Sequence, residues 1–159
     1  MGKKRLGNTD LHVSRLGVGL SEIGGMTDED VDDFRRVTLL EPHSPAAEAF
    51  RQIRTNLMFS GPPEKRKCLL VTSPAPEDGR TTVVTNLAAA IAQAGHRVLI
   101  VDANFRQAAM SEIFPDTKEA GLSSALVGQG TWRDAVSPTG VPNCDVIAAE
   151  HMAKMKDQA

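Results

Sequence analysis

The sequence of 159 residues contains no tyrosine, one tryptophan and only two cysteines. The absence of tyrosine excludes any reaction in which this chain supplies a phenol group. Cys68 and Cys144 have no metal-type spacing and do not support a disulfide framework, so we expect two buried thiols. No apolar run is long enough to cross a bilayer, and the first residues lack the apolar stretch of a secretion signal. We therefore expect a cytoplasmic protein.

The charge balance also excludes a class of partner. The net charge is −2, and basic residues form no broad stripe, so we expect no nucleic-acid partner. An acidic run at residues 28–33 indicates a solvated linker. With 41% hydrophobic residues, the chain can bury the core of one modest soluble domain. We divide it into a segment with an acidic linker (1–33), a main domain (34–149) and a polar tail (150–159).

The main domain has the pattern of an α/β unit. Ser44 and Pro45 are a good N-cap and first-turn pair for a helix that ends before the break at residues 61–63. An apolar strand at 68–72, a loop, a helix that runs from Thr81 to Gly95 and a strand at 98–101 then predict a βαβ unit with parallel strands. The remaining predicted elements are short helices at 108–114, at 122–127 and after Thr131, and a last strand at 145–148.

The loop between the first strand and the helix has the composition of a phosphate-binding loop. Residues 73–82 read S-P-A-P-E-D-G-R-T-T. In such a loop, backbone N–H groups and the positive end of the helix dipole converge on a phosphate, while a lysine and a Ser/Thr hydroxyl reach the terminal phosphates and Mg²⁺. The lysine position holds Arg80, whose planar fork is bulkier and binds oxygens in a different geometry. Glu77 and Asp78 add two carboxylates, which we expect to weaken phosphate binding.

Two interpretations of these positions stay open at this point. The loop also fits an ordinary turn in which Thr81 and Thr82 open a helix. Asp102 follows the strand at 98–101, which predicts a place at the carboxyl edge of a doubly wound sheet, where a carboxylate holds Mg²⁺ or a metal-bound water. The alternative is a turn or helix-capping aspartate, which is common after any strand.

Several segments in the same order resemble the cytoplasmic catalytic domain of bacterial tyrosine kinases of the CpsD/CapB type, a branch of the ParA/MinD-like P-loop ATPases. The resemblance covers residues 44–148 and rests on S-P-A-A-E-A-F-R-Q-I-R-T-N-L, V-T-S-P-A-P-E-D-G-R-T-T, N-L-A-A-A-I-A-Q-A-G-H-R-V-L-I-V-D-A-N-F-R and G-L-S-S-A-L-V-G. It implies an α/β fold with a P-loop NTPase-like parallel sheet and flanking helices. The sheet is expected to be incomplete, with about three strands, because the final residues 150–159 do not resemble the family's later Walker B strand.

The resemblance also implies cofactors and site residues. ATP and Mg²⁺ are the expected cofactors. Catalytic roles fall on Arg80 and Asp102, and Mg²⁺ binding falls on Thr81 and Asp102. Asn104 stands where the family has a second acidic residue, which removes a charge that would help to hold the metal. The expected ATP-binding residues are Glu77, Asp78, Gly79, Arg80, Thr81 and Thr82.

A charged motif on the first long helix concerns assembly. Glu48, Arg51 and Arg54 match the family's E-x-x-R-x-x-R motif, which the resemblance associates with packing of subunits into a ring. The spacing predicts one charged stripe that could pair with a second copy. The alternative is a solvated helix face with one Glu48–Arg51 pair worth about 0.2–0.5 kcal/mol.

The expected function is the ATP-binding part of a protein-tyrosine kinase that regulates capsule or exopolysaccharide biosynthesis, with an altered loop and weak or no activity alone. The alternative is a non-catalytic oligomerisation or regulatory module of the polysaccharide export machinery. The resemblance implies a homo-oligomer and a membrane adaptor as partners, with a peripheral place at the inner face of the membrane. Self-phosphorylation on tyrosine is excluded because the chain has none.

The N-terminal segment has a different resemblance. Residues 4–30 resemble the opening hairpin and first strand of aldo/keto reductases, with 8–10 as the hairpin turn. A reductase barrel needs eight strands and a catalytic tyrosine, so we do not expect reductase activity. A fused remnant, a gene-boundary artefact and a chance hairpin are the alternatives for this segment.

Overall fold

Short strands and groups of two or three helices follow one another in the computed structural model, which describes residues 3–5, 12–14, 33, 35–62, 67–75 and 78–149. The N-terminal strands pair antiparallel, Lys3 with Ser14 and Arg5 with His12, which confirms the hairpin-like segment. The predicted turn at 8–10 lies outside the described residues. The elements in chain order are β1 (Lys3–Arg5), β2 (His12–Ser14), α1 (Val37–Leu40), α2 (Pro45–Phe59), α3 (Arg80–Gln93), β3 (Val98–Val101), α4 (Met110–Ile113), α5 (Leu122–Leu126), β4 (Ser137–Pro138) and β5 (Cys144–Ile147).

Local sequence signals set the ends of the two long helices. The Ser44 hydroxyl oxygen accepts the N–H of Ala47 at 3.2 Å, and Pro45 occupies the first turn of α2, as predicted. The second long helix, α3, stops just before Gly95, which has φ of 87° and whose N–H donates to the carbonyl of Ala92. A glycine in this left-handed conformation is the usual end of a helix, so the predicted stop is confirmed.

The helix α3 lies between two apolar clusters and organises the core. Ala88 and Ala92 pack towards the sheet, in a cluster with Ile100 and Val146. Other buried residues of α3 pack with α1 and α2, through contacts that include Val37, Phe50, Ile53, Leu87 and Ala90. The many alanines allow close approach on both sides, so α3 contacts α1 and α2 on one side and the sheet on the other.

The central sheet has the strand order β3-β5-β4. β3 and β5 are parallel, with Val98 opposite Cys144 and Val101 opposite Ile147, whereas β4 joins β5 antiparallel. The α/β class and a small sheet of about three strands are confirmed, with two of the predicted strands, at 98–101 and 145–148, present as β3 and β5. Parallel pairing joins these two strands, and the predicted βαβ unit of 68–72 with 98–101 does not form. The sheet is mixed because the third strand is β4, which the sequence pattern did not predict.

The predicted first strand at 68–72 is wrong. These residues belong to no strand, and Leu69 and Leu70 are 53% and 80% exposed. Apolar residues favour a pleated, half-buried surface, but a strand forms only where a neighbour offers hydrogen bonds, and sequence does not reveal that neighbour. The consequence extends to Cys68, which is exposed, whereas Cys144 is buried as expected.

One predicted helix is also wrong. Residues 132–135 form turns, and the Asp134 carboxylate accepts both the N–H and the hydroxyl of Thr131, at 2.8 and 2.7 Å. This contact back to Thr131 resembles a capping box at a helix start, but only turns follow it. The short helices α4 and α5 match the other predictions within their ranges. No helix in the described part of the chain is long and apolar enough to cross a membrane.

Candidate functional site

The predicted loop leads directly into α3 through a glycine. Gly79 has φ of 79° and ψ of 18° and serves as the N-cap of α3, with no side-chain cap. The first backbone bond of the helix runs from the N–H of Val83 to the carbonyl of Gly79 at 2.9 Å. The N–H groups of the first turn have no intrahelical partner, and together with the helix dipole they favour an anion. This backbone geometry suits a phosphate.

The side chains around this turn close on the loop itself. One oxygen of Asp78, Oδ2, accepts the N–H of Ala75 at 3.0 Å. The Arg80 guanidinium donates from Nη1 to the hydroxyl oxygen of Ser73 at 2.9 Å. The Ser73 hydroxyl in turn donates to the carbonyl of Ala75 at 2.8 Å. Arg80, the predicted phosphate-binding cation, is therefore hydrogen-bonded within the loop itself. Ser73, Ala75, Asp78 and Arg80 form one connected hydrogen-bond network.

The two threonines of the motif have different surroundings. Thr82 is 8% exposed, and its carbonyl accepts a hydrogen bond from the Asn86 side chain at 2.9 Å. Thr81 is partly exposed, so its hydroxyl is the more accessible of the two for a metal or a phosphate. Glu77 lies outside the described residues.

Asp102 lies directly after β3, as predicted, and its side chain is buried at 8% exposure. Its backbone N–H donates to the carbonyl of Ile147 at 2.9 Å, which extends the parallel pairing by one residue. The Oδ1 atom accepts the N–H of Asn104 at 2.9 Å, and Oδ2 accepts the N–H of Met110 at 3.3 Å. Both oxygens are thus engaged in shaping the loop that follows β3. A carboxylate oxygen has further lone pairs, so these bonds leave room for a metal-bound water.

Metal binding by side chains alone has little support in this part of the molecule. Within residues 35–62, 67–75 and 78–149, no three His, Cys, Asp or Glu side chains gather closely enough to hold a metal ion. Mg²⁺ usually keeps several waters and takes one or two carboxylates together with substrate phosphates. Asp102 is the carboxylate available for that arrangement, with Thr81 as the hydroxyl.

A small cavity lies elsewhere. It has a volume of about 130 Å³, and Arg36, Phe114, Asp116 and Pro138 contribute to its lining. None of the lining residues belongs to the loop or to the first turn of α3. At this size the cavity accommodates a few atoms rather than a nucleotide.

The charged residues of α2 are engaged within the chain. Arg51 forms an ion pair with Glu48 at 3.0 Å and also donates to the carbonyl of Pro42. Arg54 donates from Nη1 to the carbonyl of Ala90 in α3 at 3.1 Å. The predicted single stripe is therefore divided, because Arg54 reaches the neighbouring helix. The role of these residues in assembly stays a prediction.

Sequence reasoning missed two polar residues that shape the site. The Ser73 hydroxyl oxygen accepts a hydrogen bond from Arg80, and no position of the loop motif predicts this contact. Asn86 is fully buried on α3, where its Oδ1 accepts the N–H of Thr38 at 2.8 Å and its Nδ2 donates to the carbonyl of Arg35 at 3.1 Å. The available signal was a polar residue within the alanine-rich helix pattern, which is informative when it is buried.

Comparisons with known proteins agree on one family. The family model described as "AAA domain" matches residues 78–158. The putative tyrosine-protein kinase CapB of Staphylococcus aureus is 36% identical over 109 residues, which are 69% of this chain and 48% of CapB. The tyrosine-protein kinase YwqD of Bacillus subtilis is 32% identical over 113 residues, 71% of this chain and 48% of YwqD. The chain thus spans about half the length of these curated relatives.

The fold comparison gives the same result. The kinase domain of the Escherichia coli tyrosine kinase ETK superposes with a TM-score of 0.68 at 32% identity, over 73% of this chain and 46% of that domain. The resemblance to bacterial tyrosine kinases is therefore confirmed for both sequence and fold.

Proposed function

Because the chain belongs to the AAA-domain family and resembles bacterial tyrosine kinases over about 70% of its length, we propose that it is a nucleotide-binding unit of that kinase type. In this proposal, the first turn of α3 holds the phosphates of ATP. The affinity is low, and phosphate transfer by the chain alone is weak or absent. Exopolysaccharide or capsule biosynthesis is the proposed context, in the cytoplasm.

One observation carries the proposal, namely the left-handed Gly79 that opens a helix of 14 residues without a side-chain cap. A Ser, Thr, Asp or Asn at this position would satisfy the first N–H groups from within the protein. Gly79 leaves them for an external acceptor, and an anion is the acceptor that the helix dipole favours. An ordinary turn between two elements does not need this arrangement.

We propose residues for the nucleotide from the start of α3 and from the carboxylate that follows β3. The N–H groups of Arg80, Thr81 and Thr82 would bind the phosphates, with the Thr81 hydroxyl and the Asp102 carboxylate on the side of Mg²⁺. Bound Mg²⁺ would neutralise charge on the phosphate oxygens. Low affinity is proposed because Arg80 donates to Ser73 and because Asp78 brings a negative charge into the loop.

The test is a titration of MgADP and MgATP into the full chain. Isothermal titration calorimetry measures the affinity, and the melting temperature reports the stabilisation by bound nucleotide. We expect weak binding by the wild type and tighter binding by Arg80→Lys, because a compact ammonium fits a phosphate loop better than a planar guanidinium. Arg97→Lys is the matched control, since Arg97 is exposed and stands before β3. If neither the wild type nor Arg80→Lys binds nucleotide, the proposal is wrong.

A second candidate function is a non-catalytic regulatory module that assembles with its own copies and with a membrane adaptor of polysaccharide export. The observation that favours it is the engagement of both Asp102 oxygens by backbone N–H groups. Sizing of the wild type against a variant with Arg51→Ala and Arg54→Ala tests the assembly role. An oligomer that is lost in a still-folded variant supports this function, and an unchanged size contradicts it.

A further inference from the structure

The loop before α3 contains its own anion. Asp78 Oδ2 accepts the N–H of Ala75 at 3.0 Å, directly before Gly79, the N-cap of α3. Arg80 stabilises the same arrangement from the other side, because its Nη1 lies 2.9 Å from the Ser73 hydroxyl oxygen and 3.5 Å from the carbonyl of Ala75. Both polar groups of Ala75 are therefore bonded from within the loop.

A carboxylate and a phosphate present the same kind of acceptor to a backbone N–H group. Charge-assisted bonds of this type are roughly twice as strong as neutral ones. Asp78 is exposed, so the carboxylate can leave the loop without unfolding the core. An incoming phosphate would use the N–H of Ala75, which Asp78 occupies, as a further donor besides the N–H groups of Arg80, Thr81 and Thr82.

We propose that Asp78 is an internal competitor for the nucleotide phosphates and sets the affinity of the site. The closed loop, in which Asp78 bonds to Ala75 and Arg80 bonds to Ser73, has to open before a phosphate can bind. This inference rests on the proposed nucleotide-binding function and identifies the residue that limits it. Removal of the carboxylate opens the loop and also removes a repulsive charge.

Two substitutions separate these contributions. Asp78→Ala removes the acceptor and the charge, and we expect MgADP to bind about tenfold more tightly, which corresponds to the loss of one charge-assisted hydrogen bond. Asp78→Asn removes the charge but keeps a side-chain oxygen that accepts the N–H of Ala75, so we expect a clearly smaller gain. Glu119→Ala is the control for a general change in net charge, because Glu119 is exposed and lies in a distant part of the sequence.

The loop contact also has a readout that requires no nucleotide. In the ¹⁵N-labelled full chain, Asp78→Ala should shift the amide resonance of Ala75 and speed its hydrogen exchange, whereas Glu119→Ala should change neither. Unaltered shift and exchange at Ala75 would overturn the inference. Equal gains in affinity from Asp78→Ala and Asp78→Asn would also overturn it, because charge alone would then explain the effect.

The failure of this inference differs from a failure of the proposed function. If Arg80→Lys binds MgADP more tightly but Asp78→Ala does not, only the competition by Asp78 is refuted. If no variant binds MgADP, both proposals fall. A tenfold gain in Asp78→Ala with a responding Ala75 amide supports both.

Discussion

Replacement of Asn86 by alanine tests the hydrogen-bond network that holds the segment before α2 against α3. Asn86 is fully buried, and its Oδ1 accepts the N–H of Thr38 at 2.8 Å. Its Nδ2 donates to the carbonyls of Thr82 at 2.9 Å and Arg35 at 3.1 Å. The substitution affects the N–H of Thr38 most, because it loses its acceptor. The carbonyl of Thr82 keeps its backbone hydrogen bond in α3, and the carbonyl of Arg35 keeps the hydrogen bond from the Thr85 hydroxyl.

The magnitude follows from two contributions. A buried N–H group without an acceptor costs about 1–3 kcal/mol. The cavity left by the missing amide adds about 1 kcal/mol. We therefore expect Asn86→Ala to lower the free energy of unfolding by about 2–4 kcal/mol. At about 4 °C per kcal/mol for a domain of this size, the melting temperature should fall by about 8–16 °C.

Urea denaturation followed by circular dichroism measures this difference, provided that the m-value stays unchanged. Gln93→Ala is the matched control, because Gln93 is exposed on the same helix and reaches the carbonyl of Thr38 only at 3.4 Å. We expect the control to change stability by no more than about 0.5 kcal/mol. Asn86→Leu keeps the volume without the acceptor. If leucine restored the wild-type midpoint, the cavity would explain the loss and the hydrogen-bond argument would be refuted.

Three further predictions concern other parts of the described structure. Arg54→Ala should lower the free energy of unfolding by about 1–2 kcal/mol, because a charged donor to a carbonyl of α3 is lost, and an unchanged urea midpoint would contradict this. The backbone and side-chain hydrogen bonds from Thr131 lower the pKa of Asp134 below its ordinary value of 3.8, so the stability of this turn is full above 3.8 and is lost as pH falls through the lowered pKa. An NMR titration should show the Thr131 amide moving with that step, and Asp134→Asn should abolish it. Burial raises the pKa of the Cys144 thiol above 9.0, so iodoacetamide at pH 8 should label Cys68 in the native chain and Cys144 only after unfolding, and equal rates would contradict the burial.

The two long helices α2 and α3 were predictable because their signals are local. Ser44 and Pro45 mark a beginning and Gly95 marks an end through interactions with residues only a few positions away. The strand at 98–101 was equally predictable from sequence, since its apolar run follows closely after the helix end at Gly95. The segment at 68–72 is also largely apolar but forms no strand, because pairing depends on a neighbour that is distant in sequence.

The sequence predicted where the residues of the candidate site lie, but not which hydrogen bonds their side chains form. The spacing of Gly79 and Asp102 placed them at a helix start and at a strand end, and both lie there. The direction of the Arg80 side chain depends on a hydroxyl seven residues away, which no periodicity encodes. Likewise, the engagement of Asp102 depends on the course of the loop from residue 103 to residue 110.

The position of β3 at the edge of the three-stranded sheet has a consequence for every solution measurement. Along its outer side, β3 presents peptide groups that no other strand of the described chain takes up, and Leu99 and Val101 are 41% and 49% exposed beside them. Such an edge is a template on which a strand of another molecule can be added. We therefore expect self-association to increase with protein concentration, so that affinities and unfolding midpoints of different variants are comparable only when they are measured at one low concentration.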